Sequence, residues 1–120
     1  LKQKYGSYSN IYIIDPIYDL DTLYTLRNNA KFYIHGHSAG GTNPSLVEAM
    51  FFGCPIITYD VIYNRSTTEN KANYFCDVTD LLALLSMQYS SFNENAKNMV
   101  EIANRQYRWN IIAKQYEALY

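Results

Sequence analysis

The sequence predicts an α/β fold in which a parallel sheet is flanked by helices. Three short runs rich in β-branched and aromatic residues, at positions 11–14, 31–35 and 55–59, are nearly continuous in apolar character. Strands that are covered on both faces have this character. Segments with helical spacing separate the runs and follow the last one. The order strand, helix, strand, helix, strand, then helices is typical of a parallel sheet with right-handed crossovers.

The composition indicates one folded unit. The chain has 120 residues, of which 48% are hydrophobic and 16% aromatic, which is enough for one core and too apolar for a disordered chain. The net charge of −1 argues against nonspecific nucleic-acid binding. The longest apolar stretch, residues 49–57, contains a glycine and a proline and is too short for a transmembrane segment. Two cysteines and no signal-peptide pattern lead us to expect a cytoplasmic protein, with peripheral attachment at the inner face of the membrane left open.

The first two predicted helices have recognisable boundaries. Residues 1–5 followed by Gly6 predict the last turn of a helix with a glycine cap. Because a complete domain seldom starts in this way, we expect a fragment. Between the first two strands, apolar residues at helical spacing predict a helix of two to three turns, with Asp19 as its N-cap and residues 28–29 as its end.

The next helix has the sharpest signal in the chain. Asn43 is a good N-cap, Pro44 suits the first helical position, and Gly53 supplies the stop, so we predict a helix over residues 44–52. Its apolar side chains wrap most of its circumference, and we expect it to be buried on more than one side.

Beyond the third strand the signals are weaker. Residues 64–73 predict a loop with a helical turn, and residues 74–76 a short strand. Three helical stretches follow, over residues 80–85, 93–105 and 109–119. We interpret the last of them as a helix that packs in the core.

The loop after the second strand lies where open α/β sheets place their ligands, and it allows three interpretations. The first is hydrolytic, because Gly36-His37-Ser38-Ala39-Gly40 matches the nucleophile elbow Gly-x-Ser-x-Gly. An elbow turns directly from its serine into a helix, whereas the helix start predicted here lies five residues past Ser38. Both histidines of the chain, His35 and His37, precede Ser38 and leave no base in the order that this fold uses. We therefore do not favour a hydrolase.

The second interpretation is a metal site. His35 and His37 fall on the same face of a strand, but two imidazoles make only half of a site. A third ligand would have to come from Glu48 or Asp60, and neither has a recognisable spacing. This pattern gives a metal site little support.

The third interpretation is recognition of an anion and a sugar. Gly40, Gly41 and Thr42 directly precede a predicted helix, so their backbone N–H groups are free to approach a phosphate or a hydroxyl. Glu48 lies about one turn inside that helix, and helical side chains lean toward the N-terminus. A carboxylate there accepts two hydroxyls, as a ribose diol offers. The alternative, in which the glycines only make a turn and Glu48 is a helix-face carboxylate, stays open.

The residues from Gly40 to Met50, Gly-Gly-Thr-Asn-Pro-Ser-Leu-Val-Glu-Ala-Met, are followed by Gly-Cys-Pro-Ile-Ile at 53–57. This run resembles the signature of the retaining family 4 glycosyltransferases. The wider pattern is similar to a bacterial subgroup that includes rhamnosyltransferases of surface polysaccharide synthesis. That pattern comprises Tyr18-Asp19, Leu26-Arg27, Ala30, residues 33–45, Asn64-Arg65, Tyr74-Phe75, Tyr107-x-Trp109, Ile112 and Tyr116.

The resemblance implies a Rossmann-like domain, of which residues 1–120 form a part without its first strand. This would be the carboxy-terminal, donor-binding domain of the two-domain glycosyltransferase B fold. The resemblance implies a UDP-, dTDP- or GDP-sugar as donor and transfer of a hexose or deoxyhexose with retention. The acceptor, a glycan or lipid-linked glycan, would be held by the amino-terminal domain, and no cofactor or metal is implied. We expect the chain alone to bind the donor weakly and to be inactive.

The resemblance also assigns roles to residues of the loop. Glu48 corresponds to the carboxylate that holds the nucleotide ribose, and no catalytic residue is assigned. Backbone contacts with the diphosphate and sugar correspond to Gly41, Thr42 and Asn43. The family's first Glu, which contacts the donor sugar, is replaced by Gly40. His37 or Asn43 can supply a substitute hydrogen bond, and we count Ser38 with the binding residues.

The base of the nucleotide is expected at the edge after the first strand. Pro16 and Ile17 correspond to that edge, and Tyr18 is expected to line the pocket. A noncatalytic α/β module of flavodoxin-like size, binding a partner protein or a phosphorylated ligand, stays as the alternative. Glu48 discriminates between the two, because such a module does not need a carboxylate that leans toward a glycine loop.

Overall fold

Three parallel strands form the sheet of this protein, in a computed structural model that describes all 120 residues. They are β1 (Tyr33–His35), β2 (Ile56–Tyr59) and β3 (Asn73–Phe75), in the spatial order β1-β2-β3. Tyr33 pairs with Ile56, and Ile57 pairs with Asn73. The predicted α/β class and the parallel pairing are therefore confirmed.

Helices connect the strands and flank the sheet. In chain order they are α1 (Lys2–Tyr5), α2 (Leu20–Asn28), α3 (Pro44–Met50), α4 (Ile62–Thr67), α5 (Val78–Leu85), a 3-10 turn (Tyr89–Phe92), α6 (Asn93–Gln106) and α7 (Trp109–Glu117). Helix α3 ends two residues earlier than predicted. The segment predicted as a loop with a helical turn contains most of α4 and the start of β3. None of the helices combines the length and the apolar character needed to cross a bilayer.

The two predicted N-caps, Asp19 and Asn43, are present, whereas Gly6 follows α1 in a right-handed conformation (φ −66°) and not in the left-handed one of a glycine cap. The carboxylate of Asp19 accepts a hydrogen bond from the Thr22 backbone N–H at 2.8 Å, which starts α2. The side chain of Asn43 accepts one from the Ser45 N–H at 2.9 Å, which starts α3. Each cap satisfies a backbone donor that has no partner within its helix. The chain therefore enters α3 at a fixed position, directly after the glycine loop.

The first predicted strand is wrong. Residues 11–14 form no strand, and the side chains of Tyr12 and Ile14 are mostly exposed. The run of apolar residues is as suitable for a strand as β1 is. A strand also needs a partner for its backbone groups, and in the sheet β1 is paired with β2 alone.

The core lies between α3, the sheet and α6. Its seven buried residues are Leu46, Ala49, Met50, Ile56, Met99, Ile102 and Ala103. Helix α3 is buried on this side, but Val47 is only half-buried and Phe51 is exposed on another. The expectation that α3 is buried on more than one side is therefore wrong, because its second apolar side faces an open cavity.

The side chain of Asn95 joins α6 to the sheet. Its amide oxygen accepts a hydrogen bond from the Ile56 N–H at 3.0 Å, and its amide nitrogen donates to the Ile56 carbonyl at 2.8 Å. The same nitrogen donates to the side-chain oxygen of Asn73 at 2.6 Å. Ile56 lies one residue before β2 begins to pair with β3. The Asn95 amide thus replaces the hydrogen-bonding partner on β3 that Ile56 does not have.

The other end of α6 is joined to α4. The hydroxyl of Tyr107 donates to the Thr67 carbonyl at 3.0 Å. Glu69, just after α4, pairs with Arg105 at 2.7 Å. These contacts fix the corner at which the chain leaves α6 and enters α7.

Contrary to the expectation from the sequence, helix α7 does not pack in the core. It has no buried residue, and Trp109 at its start is 84% exposed. Ile111 and Ile112 are half-buried, so α7 rests on the fold by one side only. The apolar pattern of α7 predicted the helix correctly but its burial wrongly, because no other element covers the outer side of the helix.

We expect Asn95→Ala to lower the free energy of unfolding by about 2 to 4 kcal/mol, because it leaves the buried N–H and carbonyl of Ile56 without partners. Urea unfolding followed by circular dichroism measures this. Asn98→Ala, a half-buried residue of the same helix, is the matched control and should stay within about 0.5 kcal/mol of the wild type. If the free energy of unfolding falls no further in Asn95→Ala than in the control, the hydrogen bonds between Asn95 and Ile56 do not contribute to stability.

Candidate functional site

A cavity of about 470 Å³ runs along the second apolar side of α3. It connects the end of the glycine loop with the corner between α6 and α7. Its lining residues are Thr42, Pro44, Val47, Glu48, Phe51, Tyr107, Trp109 and Ile112. The volume is in the range of small-molecule sites, roughly 300 to 1,000 Å³. Thr42 and Glu48 are polar residues of the lining, and the other six lining residues are apolar or aromatic.

The glycine loop, residues 36–43, links β1 to α3. Gly40 and Gly41 both have left-handed backbones, with φ of 60° and 75°. A Cβ at either position would meet no atom within 4 Å, so the backbone conformation, rather than crowding, favours glycine here. Ser38 is exposed and lies five residues before Asn43, which caps α3. The direct turn from serine to helix that a nucleophile elbow needs is therefore absent.

Asn64 holds the base of the loop. This buried side chain of α4 donates to the His37 carbonyl and to the Tyr59 carbonyl, both at 3.0 Å. The start of the loop is thereby attached to the end of β2. The sequence placed Asn64 in a predicted loop and in the resemblance but did not predict its anchoring role, because that role depends on a contact with His37, 27 residues away.

Glu48 forms an ion pair with Arg27 of α2. The Arg27 Nη1 lies 2.7 Å from the Glu48 Oε2, and the Arg27 side chain is 15% exposed. Nη1 is not aligned for a hydrogen bond, so the contact is electrostatic. The Glu48 side chain is 48% exposed, and its other oxygen, Oε1, is left for solvent or a ligand. Arg27 thus fixes the position of one oxygen and leaves the other available.

His35 is buried at the end of β1. Its ring stacks on Tyr33 with centroids 5.9 Å apart and lies 6.0 Å from the ring of His37. Its Nε2 has no hydrogen-bond partner. Burial, and secondly the neighbouring His37, lower the pKa of His35 from its usual value of 6.5. Burial also raises the pKa of the Tyr33 hydroxyl.

The two carboxylates suggested as a third metal ligand are already paired with arginines. Glu48 pairs with Arg27, and Asp60 accepts from the Arg65 Nη2 at 2.7 Å. No three His, Cys, Asp or Glu side chains come together as a metal ion would require.

The structure brings together part of the predicted site. Thr42 and Glu48 line the cavity, and the loop joins them to the two glycines and the Asn43 cap. His37 and Ser38 are exposed on the loop, outside the cavity lining.

The residues assigned to the base lie elsewhere. Pro16 and Tyr18 are exposed and Ile17 is half-buried, and none of them lines the cavity. Sequence reasoning did not assign the aromatic wall of the cavity to the site. The spaced pair Tyr107-x-Trp109 after a long helix was the signal that could have found it.

No protein-family model and no curated protein matches the chain.

We expect His35 to lower the stability of the protein as the pH falls below its ordinary pKa of 6.5. The folded state, in which the pKa is lowered, binds this proton less readily than the unfolded chain does. The free energy of unfolding should therefore decline between pH 6.5 and about 5, above the range in which carboxylates titrate. Urea unfolding of the wild type and His35→Gln at several pH values measures the decline. Parallel curves for the two proteins would contradict the assignment to His35.

Proposed function

We propose that this chain is the donor-binding part of a retaining glycosyltransferase and holds a UDP-, dTDP- or GDP-sugar. The observation that carries the proposal is that Thr42, at the end of the glycine loop, and the Glu48 carboxylate line one cavity. The aromatic remainder of that cavity supplies apolar surface. A nucleoside diphosphate has a ribose with two hydroxyls (one in dTDP), a charged diphosphate and a flat base. These three groups match the Glu48 carboxylate, the backbone of the glycine loop and the aromatic surface, respectively. The resemblance of residues 40–57 to the family signature supports the same function.

Glu48 is the residue that would bind the ribose. Its Oε1 accepts hydrogen bonds from the ribose hydroxyls, while Arg27 holds Oε2. A hydrogen bond to a charged acceptor is stronger than a neutral one, so the carboxylate orients the nucleoside. The largely buried Arg27 also holds the carboxylate in one position. The left-handed glycines leave the loop backbone open to the diphosphate, since no side chain projects there.

In the transfer reaction this site would position the donor. The bond between the anomeric carbon and the diphosphate oxygen breaks, and a bond to the acceptor oxygen forms on the same face of the sugar. The acceptor hydroxyl passes its proton to the departing diphosphate oxygen. Fixed orientation and stabilisation of the diphosphate charge lower the barrier. We propose a hexose or deoxyhexose donor and, as acceptor, a glycan or lipid-linked glycan of bacterial surface polysaccharide synthesis, held by a second domain.

We expect Glu48→Ala to weaken nucleoside-diphosphate binding by about 1.5 to 3 kcal/mol, the scale of a hydrogen bond to a charged group. Calorimetric titration with UDP, dTDP, GDP, ADP and NAD measures this. Glu48→Gln keeps the size of the side chain and removes its charge, so it separates loss of the carboxylate from loss of packing. Glu94→Ala, an exposed carboxylate of α6 outside the cavity, is the matched control.

Circular dichroism and thermal unfolding establish that each variant is folded, since Glu48→Ala leaves Arg27 without its partner. Equal affinities for wild type and folded Glu48 variants would remove Glu48 from the site. If the wild type bound no nucleoside diphosphate, the proposal would be contradicted and the noncatalytic partner-binding module would be favoured.

A further inference from the structure

We propose that the base of the nucleotide stacks on Trp109 in the aromatic part of the cavity, and that the site therefore discriminates little between bases. The inference rests on the proposed function, because it takes the ribose to be held at Glu48. It moves the base away from Pro16, Ile17 and Tyr18, where the resemblance would place it.

The covalent structure of a nucleotide limits where the base can lie. Base and ribose are directly joined, so a ribose at Glu48 puts the base in the adjoining volume. The wall of that volume is formed by Val47, Phe51, Tyr107, Trp109 and Ile112. None of these side chains is charged, and three of them are aromatic. Aromatic side chains bind bases by stacking, and each stacked base contributes about 1 to 3 kcal/mol.

Trp109 is the side chain best placed for stacking. It lines the cavity and is nevertheless 84% exposed, so the fold itself uses little of its surface. Tyr107 beside it is held by the hydrogen bond from its hydroxyl to the Thr67 carbonyl. The wall therefore combines a fixed aromatic ring with one whose faces are open.

The same wall has almost no means of reading the edges of a base. Glu48 is committed to the ribose, and the Tyr107 hydroxyl already donates to Thr67. Of the other polar side-chain groups that line the cavity, only the Thr42 hydroxyl and the indole N–H of Trp109 remain. Strong discrimination requires hydrogen-bonding groups built to match one substrate, and apolar walls discriminate weakly. Affinities for UDP, GDP and ADP should accordingly lie within about tenfold of one another.

Trp109 is the only tryptophan of the chain, so its fluorescence reports the stacking directly. We expect UDP, GDP and ADP each to change the emission, whereas ribose 5-phosphate and pyrophosphate, which have no base, leave it unchanged. In calorimetry, Trp109→Ala should weaken UDP binding by about five- to a hundredfold. Trp109→Phe, which keeps a ring, should lose less. Tyr12→Ala, an exposed aromatic outside the cavity, is the matched control.

The outcomes separate this inference from the proposed function. If UDP binding depends on Glu48 but Trp109→Ala binds normally and the emission is unchanged, the base lies elsewhere and only this inference fails. A loss of affinity in Tyr18→Ala instead would place the base at the rival edge. A preference of more than about tenfold for one base would overturn the claim of weak discrimination. If no nucleotide binds the wild type, the proposed function fails as well.

Discussion

The position of α6 on the sheet depends on one buried amide. Asn95 forms hydrogen bonds with the N–H and the carbonyl of Ile56. These groups would otherwise be buried without partners, because β2 begins one residue before its pairing with β3. With α6 fixed there, Met99, Ile102 and Ala103 meet the buried side of α3 in the core. The far end of α6 then delivers Tyr107 and Trp109 to the other side of α3, where the cavity lies. The contact of Asn95 with Ile56 thus influences the position of the cavity residues that follow α6.

The ion pair of Glu48 and Arg27 joins α2 to α3 at the lining of the cavity. Arg27 comes from α2 and is largely buried, whereas Glu48 comes from α3 and is half-exposed. Removing Glu48 would leave a buried charge unpaired, so its side chain serves the fold in addition to the binding role that we propose for it. The alternative in which Glu48 is only a helix-face carboxylate explains its pairing with Arg27. It does not explain why the paired carboxylate lines an aromatic cavity together with Thr42, which directly follows two left-handed glycines.

Local signals predicted most of the elements. Caps such as Asp19 and Asn43 act within three residues, so the sequence contains all that is needed to place the starts of α2 and α3. Residues 11–14 have the same apolar pattern as β1, and only the pairing of distant backbone groups decides which becomes a strand. Trp109 was expected in the core for a similar reason, since an apolar pattern does not show which surfaces are covered. Within the site, the loop and Glu48 could be predicted from residue types and spacing, whereas the aromatic wall depends on how α6 crosses the sheet.

The central claim is that a nucleoside diphosphate occupies the cavity between the glycine loop and the α6–α7 corner. Two-dimensional amide NMR spectra of the chain, recorded during a titration with UDP, test it most directly. We predict that the largest shift changes occur at Gly40, Gly41 and Thr42 and at the indole N–H of Trp109. Changes confined to the α5 side of the sheet, or to residues 16–18 without the loop, would contradict this location.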